Sequence, residues 1–193
     1  VEKKPNVSRT SITYAMAGNR KYCFEGETMD NFNTLLAVGK KTEDLVCDYL
    51  TTRGNTVINH TEDLDWQAID TDFEVSKNGK TTTLEVKTDS RINQTNNLFF
   101  EVGFDRTTGY YDGWFRKCEA EYILFYDSSA AKGYIIDFNK EIIQKNSNYR
   151  RWYNRSDSCW GDAYLLPLMK AEQLGLIAHT FELQKEETTD DWE

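Results

Sequence analysis

The chain of 193 residues carries 23 Lys and Arg against 32 Asp and Glu, a formal net charge of −9. That balance runs against a simple nucleic-acid binder with a basic footprint, although net charge sets steering and solubility and leaves room for a local basic groove. The length suits one domain able to bury a core, the 13% aromatic content argues against disorder, and no apolar run reaches bilayer-spanning length.

Taken in order, Val1-Glu2-Lys3-Lys4-Pro5 lacks the apolar stretch of a signal peptide. Thr10 to Ala17 has the composition of a strand, and residues 1–34 otherwise carry little pattern. From Leu35 the period becomes helical. Val38, Leu45, Val46, Tyr49 and Leu50 form an apolar stripe that ends near Gly54, with Glu43 at its border. The four cysteines, Cys23, Cys47, Cys118 and Cys159, are scattered without a Cys-x-x-Cys pair. They read as reduced, mostly buried thiols of a cytoplasmic protein, and neither as a zinc site nor as a disulfide framework.

Asn55 to His60 is short and β-branched and predicts a first core strand. Ile69 to Val75 and Thr82 to Asp89 both alternate polar and apolar residues, and between them Asn78-Gly79 is a strong hairpin signal. Phe73, Val75, Leu84 and Val86 fall on one face of that hairpin, and Asp70, Asp72, Glu74, Glu85 and Lys87 on the other. Like charges opposite one another repel, so a face that gathers carboxylates needs a reason. A divalent cation supplies one; the alternative is a solvated face on which Lys87 simply neutralises an acid.

Residues 89–97 are polar and loop-like, Leu98 to Phe104 is apolar around Glu101, and Thr107 to Gly113 is turn-like. Tyr122 to Tyr126 predicts a strand buried on both faces, Gly133 to Phe138 another, and Asn139 to Lys145 a helix. The aromatic and basic stretch from Tyr149 to Arg155 offers Arg150 and Arg151 as nucleic-acid contacts, with Arg106, Arg116 and Lys117 weaker candidates. The same arginines equally suit a solvated helix face with its aromatics turned inward. Pro167 to Leu174 predicts a last helix, and residues 185–193 an acidic tail. The expected fold class is α/β with a central mixed sheet.

Asp72 followed by Glu85-Val86-Lys87 resembles the PD-(D/E)xK nuclease superfamily, although the proline of that motif is absent. The likeness is greatest to phage-type endonucleases and archaeal-type Holliday-junction resolvases. Gly39-Lys40-Lys41-Thr42-Glu43, Thr71-Asp72-Phe73, the run Glu85 to Asp89, Asn97 to Glu101 and Gly113-Trp114-Phe115 carry it. Asp70 and Asp72 both fit the metal-ligand position, and the aromatic after Asp72 favours Asp72. In cap-snatching viral endonucleases of the superfamily a histidine binds metal, but from the leading helix; His60 reads as a strand-end residue.

The resemblance implies a restriction-endonuclease-like core of αβββαβ type over about residues 35–145, inside a single domain 1–184 whose residues 146–184 form a helical extension. It also implies a Mg²⁺- or Mn²⁺-dependent endonuclease cutting branched or structured DNA in phage or prokaryotic recombination or replication, often as a homodimer. Glu43, Asp72, Glu85 and Lys87 would be catalytic, with Asp72, Glu85, the Val86 carbonyl and Glu43 around the metal. The competing expectation is a nuclease-fold module without catalysis, binding nucleic acid or a protein partner as an inhibitor or DNA mimic.

Overall fold

The computed structural model describes residues 29–154 and 159–183. The expected strand at Thr10 to Ala17, Cys23, Arg155 and the acidic tail lie outside them. The first helix, α1 (Met29–Thr52), turns Val46, Tyr49 and Leu50 inward, whereas Val38 stands 40% exposed and off the predicted stripe. It stops where Gly54 adopts φ +78, the left-handed conformation that closes a helix without a Cβ penalty.

A six-stranded sheet follows, in the spatial order β1 (Thr56–Asn59), β2 (Phe73–Lys77), β3 (Lys80–Thr88), β6 (Tyr122–Asp127), β7 (Lys132–Asp137), β10 (Ile177–Glu182). Its neighbours are antiparallel except β3 and β6, which run parallel. The chain is therefore α/β with a central mixed sheet flanked by helices. β1 is the edge and largely exposed, so it is not the core strand the sequence predicts. The hairpin turn is as read: Asn78 and Gly79 sit at φ 53 and 77, the two positive values a two-residue turn of this hand requires.

Parallel strands cannot be joined by a tight turn, and a crossover between them is usually a helix. Residues 89–121 instead contain α3 (Ile92–Thr95), β4 (Asn97–Arg106), β5 (Gly109–Asp112) and α4 (Trp114–Lys117). β4 and β5 join β8 (Asn148–Asn154) and β9 (Cys159–Pro167) in a second, antiparallel sheet of order β5-β4-β9-β8. The helical extension expected over 146–184 is thus mostly strand, with only α6 (Leu168–Gln173) helical; α5 (Lys140–Asn146) ends where it begins. Arg150 to Tyr153 pair with residues 160–163 of β9, a partnership that the local aromatic and basic composition does not reveal.

β6 divides the core. Leu124 and Tyr126 pack with Phe73, Val75, Leu84, Val86 and the α1 stripe, while Ile123 and Phe125 pack with Leu98, Phe100, Trp114, Phe115 and Leu166 of the second layer. This confirms the double-sided burial read for Tyr122 to Tyr126. It also leaves Glu85 and Lys87, alternate to Leu84 and Val86, turned away from α1 and towards the second layer.

Candidate active site

The acidic face begins where the hairpin ladder gives out. Register pairs Phe73 with Leu84, so Asp72 and Glu85 are the next opposed residues. Here the strands part: the Asp72 N–H donates to the Leu84 carbonyl at 3.0 Å, while the Val86 N–H turns to the Asp72 carboxylate, Oδ2, at 2.9 Å. The Asp72 carbonyl accepts the His60 N–H at 2.8 Å. Asp72 is fully buried, held by main-chain partners on both sides, which is how a buried carboxylate is tolerated. The expected strand start at Ile69 moves to Phe73 because Asp70 takes φ 45 and turns the chain.

Glu85 is also fully buried and accepts a hydrogen bond from Lys87 Nζ, two residues along the same face. The Lys87 ammonium lies 4.9 Å from the centre of the Trp114 ring, a cation–π contact that suits an almost wholly buried charge. Asp70, the other candidate, is buried too, but it pairs with Lys117 Nζ at 3.3 Å. Asp72 is the aspartate directly joined to the Glu85-Val86-Lys87 strand.

Glu43 is buried on α1 and lines a cleft of about 360 Å³ with Lys40, Asp44, Asn59, Thr61, Glu62 and Asp63. Asn59 pairs with Phe73, so that cleft borders the sheet end at which Asp72 sits. His60 follows β1, as a strand-end residue does, and stacks flat on Trp66 at 3.8 Å between ring centres. Among the described residues, no group of three or more His, Cys, Asp and Glu side chains is drawn tight enough to close on an ion by itself.

Sequence reasoning quoted Glu101 as the end of the Asn97 to Glu101 motif but gave it no role in the site. Burial pushes its carboxyl up to about 7, against the lowering pull of Lys87 and then Lys117, with Asp70 pushing the other way and Arg106 lowering it further. The available signals were that motif and a lone charge in an apolar run; what was missing was that Lys87 and, from α4, Lys117 lie near enough to act on its charge. Cys118, next after α4, has its thiol pushed up to about 12, first by burial and then by the Glu85 carboxylate, so it remains a protonated core residue.

The arginine pair lies on a strand and not on a helix face. Arg150 and Arg151 are consecutive residues of an edge strand, so they point to opposite faces of the second sheet. Arg151 is held by Asp105 at 3.3 Å and Asp162 at 3.7 Å, and lies 5.3 Å from the Trp160 ring centre. Trp152 covers Gly161 and meets Phe99 edge-on, so it is packing rather than a stacking platform. Tyr149, Tyr153 and Trp160 remain substantially exposed. Arg116 pairs with Asp112, and Arg106 lies over Phe104.

No family model matches the chain, and no curated protein matches it either. Among solved structures it is similar to a bacterial homing endonuclease, at 11% identity over 52% of this chain and 67% of that one, with a TM-score of 0.40. So loose a superposition adds no weight to the site, which stands on its own residues.

Proposed function

We propose that the chain is a metal-dependent nuclease of the PD-(D/E)xK type, an endonuclease that hydrolyses phosphodiester bonds in branched or structured DNA. One observation carries the reading: Asp72 and Glu85, both wholly buried, stand next to the Phe73–Leu84 pair on opposed strands at the parting end of the β2–β3 hairpin, with the Lys87 ammonium on Glu85. Two carboxylates and a main-chain carbonyl are hard oxygen donors, a set that suits Mg²⁺ or Mn²⁺ retaining several waters. Asp72, Glu85 and the Val86 carbonyl would hold the ion, with Glu43 at the rim of the same sheet end. When bound, the ion supplies a water of lowered pKa and positive charge beside the phosphate.

The protein's own part is to place charge. Lys87, fixed by Glu85 and Trp114, offers its ammonium to the attacking water or to the negative charge that grows on the phosphate. Asp72, tied to Val86, keeps the two strands in the register that brings the acids together. A phage or prokaryotic recombination or replication substrate and a homodimeric assembly belong to this reading. So does a cytoplasmic location; no helix among the described residues is long and apolar enough to cross a membrane.

A second reading has its own observation. Lys87 already neutralises Glu85, and Asp72 already accepts the Val86 N–H, so the pair can persist as a structural feature of a module that binds a nucleic acid or a protein without cutting. Incubation with Mn²⁺ and a panel of linear duplex, single-stranded and four-way-junction DNAs separates them. Cleavage that stops on chelation is the expected result. Intact DNA throughout favours the non-catalytic module.

A further inference from the structure

The exposed rings of this chain are gathered in one place. Among the described residues, every exposed large aromatic side chain lies in the second sheet, and every exposed large aliphatic one lies outside it. Directly paired residues of antiparallel strands share a face, so Tyr110 of β5, Asp105 of β4, Trp160 of β9 and Tyr153 of β8 form one row across all four strands. At a strand spacing of about 4.8 Å that row spans about 14 Å. Arg151 and then Tyr149 follow on the same face of β8. Further along this face Tyr164 packs against Phe115 of α4, so the face leaves the core and runs out into solvent as a shelf. Its floor is low. A Cβ on Gly103 would lie 2.3 Å from the Tyr110 hydroxyl oxygen, so the phenol lies across β4 instead of standing up from the sheet. Arg151 is 5.3 Å from the Trp160 ring centre, and Arg116 of α4 is 5.5 Å from that of Tyr110. The acids of the face are already engaged: Asp105 and Asp162 by Arg151, and Asp112 by Arg116.

Resting on the nuclease reading for its purpose, we propose that this shelf binds an unpaired DNA strand, so that the substrate is a DNA with a single-stranded arm beside the bond to be cut. The bases of a single strand can lay their faces on flat rings and guanidinium planes, whereas a duplex keeps those faces inside its own stack. The shelf offers rings and guanidinium groups with no exposed large aliphatic side chain, a surface matched to planar bases more closely than to the mixed apolar core of a protein contact. Charge agrees with the assignment. Arg116, Lys117 and Lys140, whose Nζ donates to the Arg116 carbonyl at 2.9 Å, stand along the α4 border of a chain whose net charge is −9. α4 also sets where the strand leads: Arg116 lies against the shelf at Tyr110, Trp114 lies beneath the Lys87 ammonium, and Lys117 pairs with Asp70 at 3.3 Å. A four-residue helix is only about 6 Å long, so a phosphate backbone that leaves the shelf over these cations arrives at the Asp72–Glu85 end of the first sheet.

The first arm of the test is binding in EDTA, where no metal-dependent cutting occurs. The full chain is titrated into a short fluorescent oligo-dT strand and into a blunt duplex of the same length. The single strand should bind on the order of tenfold more tightly, and Trp160→Ala and Tyr153→Ala should each weaken it on the order of tenfold, with Trp160→Phe close to wild type. Leu64→Ala, at an exposed aliphatic residue of α2, should leave binding unchanged. These positions are all exposed, so the variants should melt with the wild type. The second arm adds Mn²⁺ and compares a duplex carrying an unpaired arm with the same duplex lacking it. The wild type should cut the armed DNA faster, and Trp160→Ala should abolish that difference without slowing the blunt duplex. Equal affinity for single strand and duplex, or ring variants that bind as the wild type does, overturns the inference, and cleavage that ignores the arm then leaves the nuclease reading standing. A chain that prefers the single strand, loses the preference in the ring variants and cuts neither DNA upholds the shelf and removes the nuclease reading. A wild-type dimer that Trp160→Ala splits, with no preference for the single strand, gives the face to a second copy and overturns the inference as well.

Discussion

Lys87→Ala is expected to lower folding stability by on the order of 3–5 kcal/mol, besides stopping cleavage, because it strips the ammonium from a carboxylate already out of water. Glu85 is fully buried and Lys87 nearly so, and their hydrogen bond lies inside the packing of the second layer rather than on a solvated face. Sequence alone suggests that this variant keeps its fold, since the acidic face of a hairpin reads as exposed; burial reverses that expectation. The control is Glu85→Gln with Lys87→Met, which removes both charges at similar volume. Replacing a buried pair by neutral groups is often tolerated, so the double variant should regain most of the stability while remaining unable to cut. Urea unfolding of the three proteins checks this. A Lys87→Ala loss below about 1 kcal/mol would mean that the pair is exchanged for water at little cost.

The second large effect is expected at Phe100, which joins the two sheets. From β4 it meets Phe125 of β6 at 5.2 Å between ring centres, Trp114 at 5.6 Å, Phe115 at 5.7 Å and Phe138 at 6.4 Å. It is wholly buried, so Phe100→Ala leaves a cavity ringed by aromatics and should cost about 3–5 kcal/mol. The damage should also reach the site, because the Trp114 ring that loses Phe100 is the one beneath Lys87. Phe100→Leu, which refills part of the space, should recover most of the stability. Thermal melting of the pair reads the result, and a Phe100→Ala loss under about 1 kcal/mol would show that the layers are held elsewhere.

What the sequence disclosed was local. The alternation of Phe73 and Val75 with Leu84 and Val86, around Asn78-Gly79, specifies a hairpin and its two faces because turn chemistry and period 2 act over a dozen residues. The continuous apolar run of β6 similarly announces burial on both sides. The second sheet was hidden because its strands draw their partners from far along the chain: β4 pairs with β9, and β9 with β8. In β8 each face carries an arginine and an aromatic, so no alternation separates inside from outside, and the stretch read as helix. Trp152 is inward only because Gly161, on the neighbouring strand, makes room for it. The surroundings of Glu101, a residue the sequence offers only as the end of a motif, were hidden for the same reason, since they are assembled by Lys87 and by Lys117 of the α4 that follows a second hairpin.

Everything functional returns to the claim that Asp72 and Glu85 together take a divalent cation. Asp72→Asn keeps an oxygen that can accept the Val86 N–H and discards the charge, so the fold should survive with a loss of about 1 kcal/mol. Melting the two proteins against increasing Mn²⁺ is the direct measurement. A cation bound by the native state raises its melting temperature, by the equivalent of about 2.7 kcal/mol at a hundredfold excess over the dissociation constant. That rise is expected in the wild type and not in Asp72→Asn. Equal melting curves at every Mn²⁺ concentration, or an equal rise in both proteins, would contradict it.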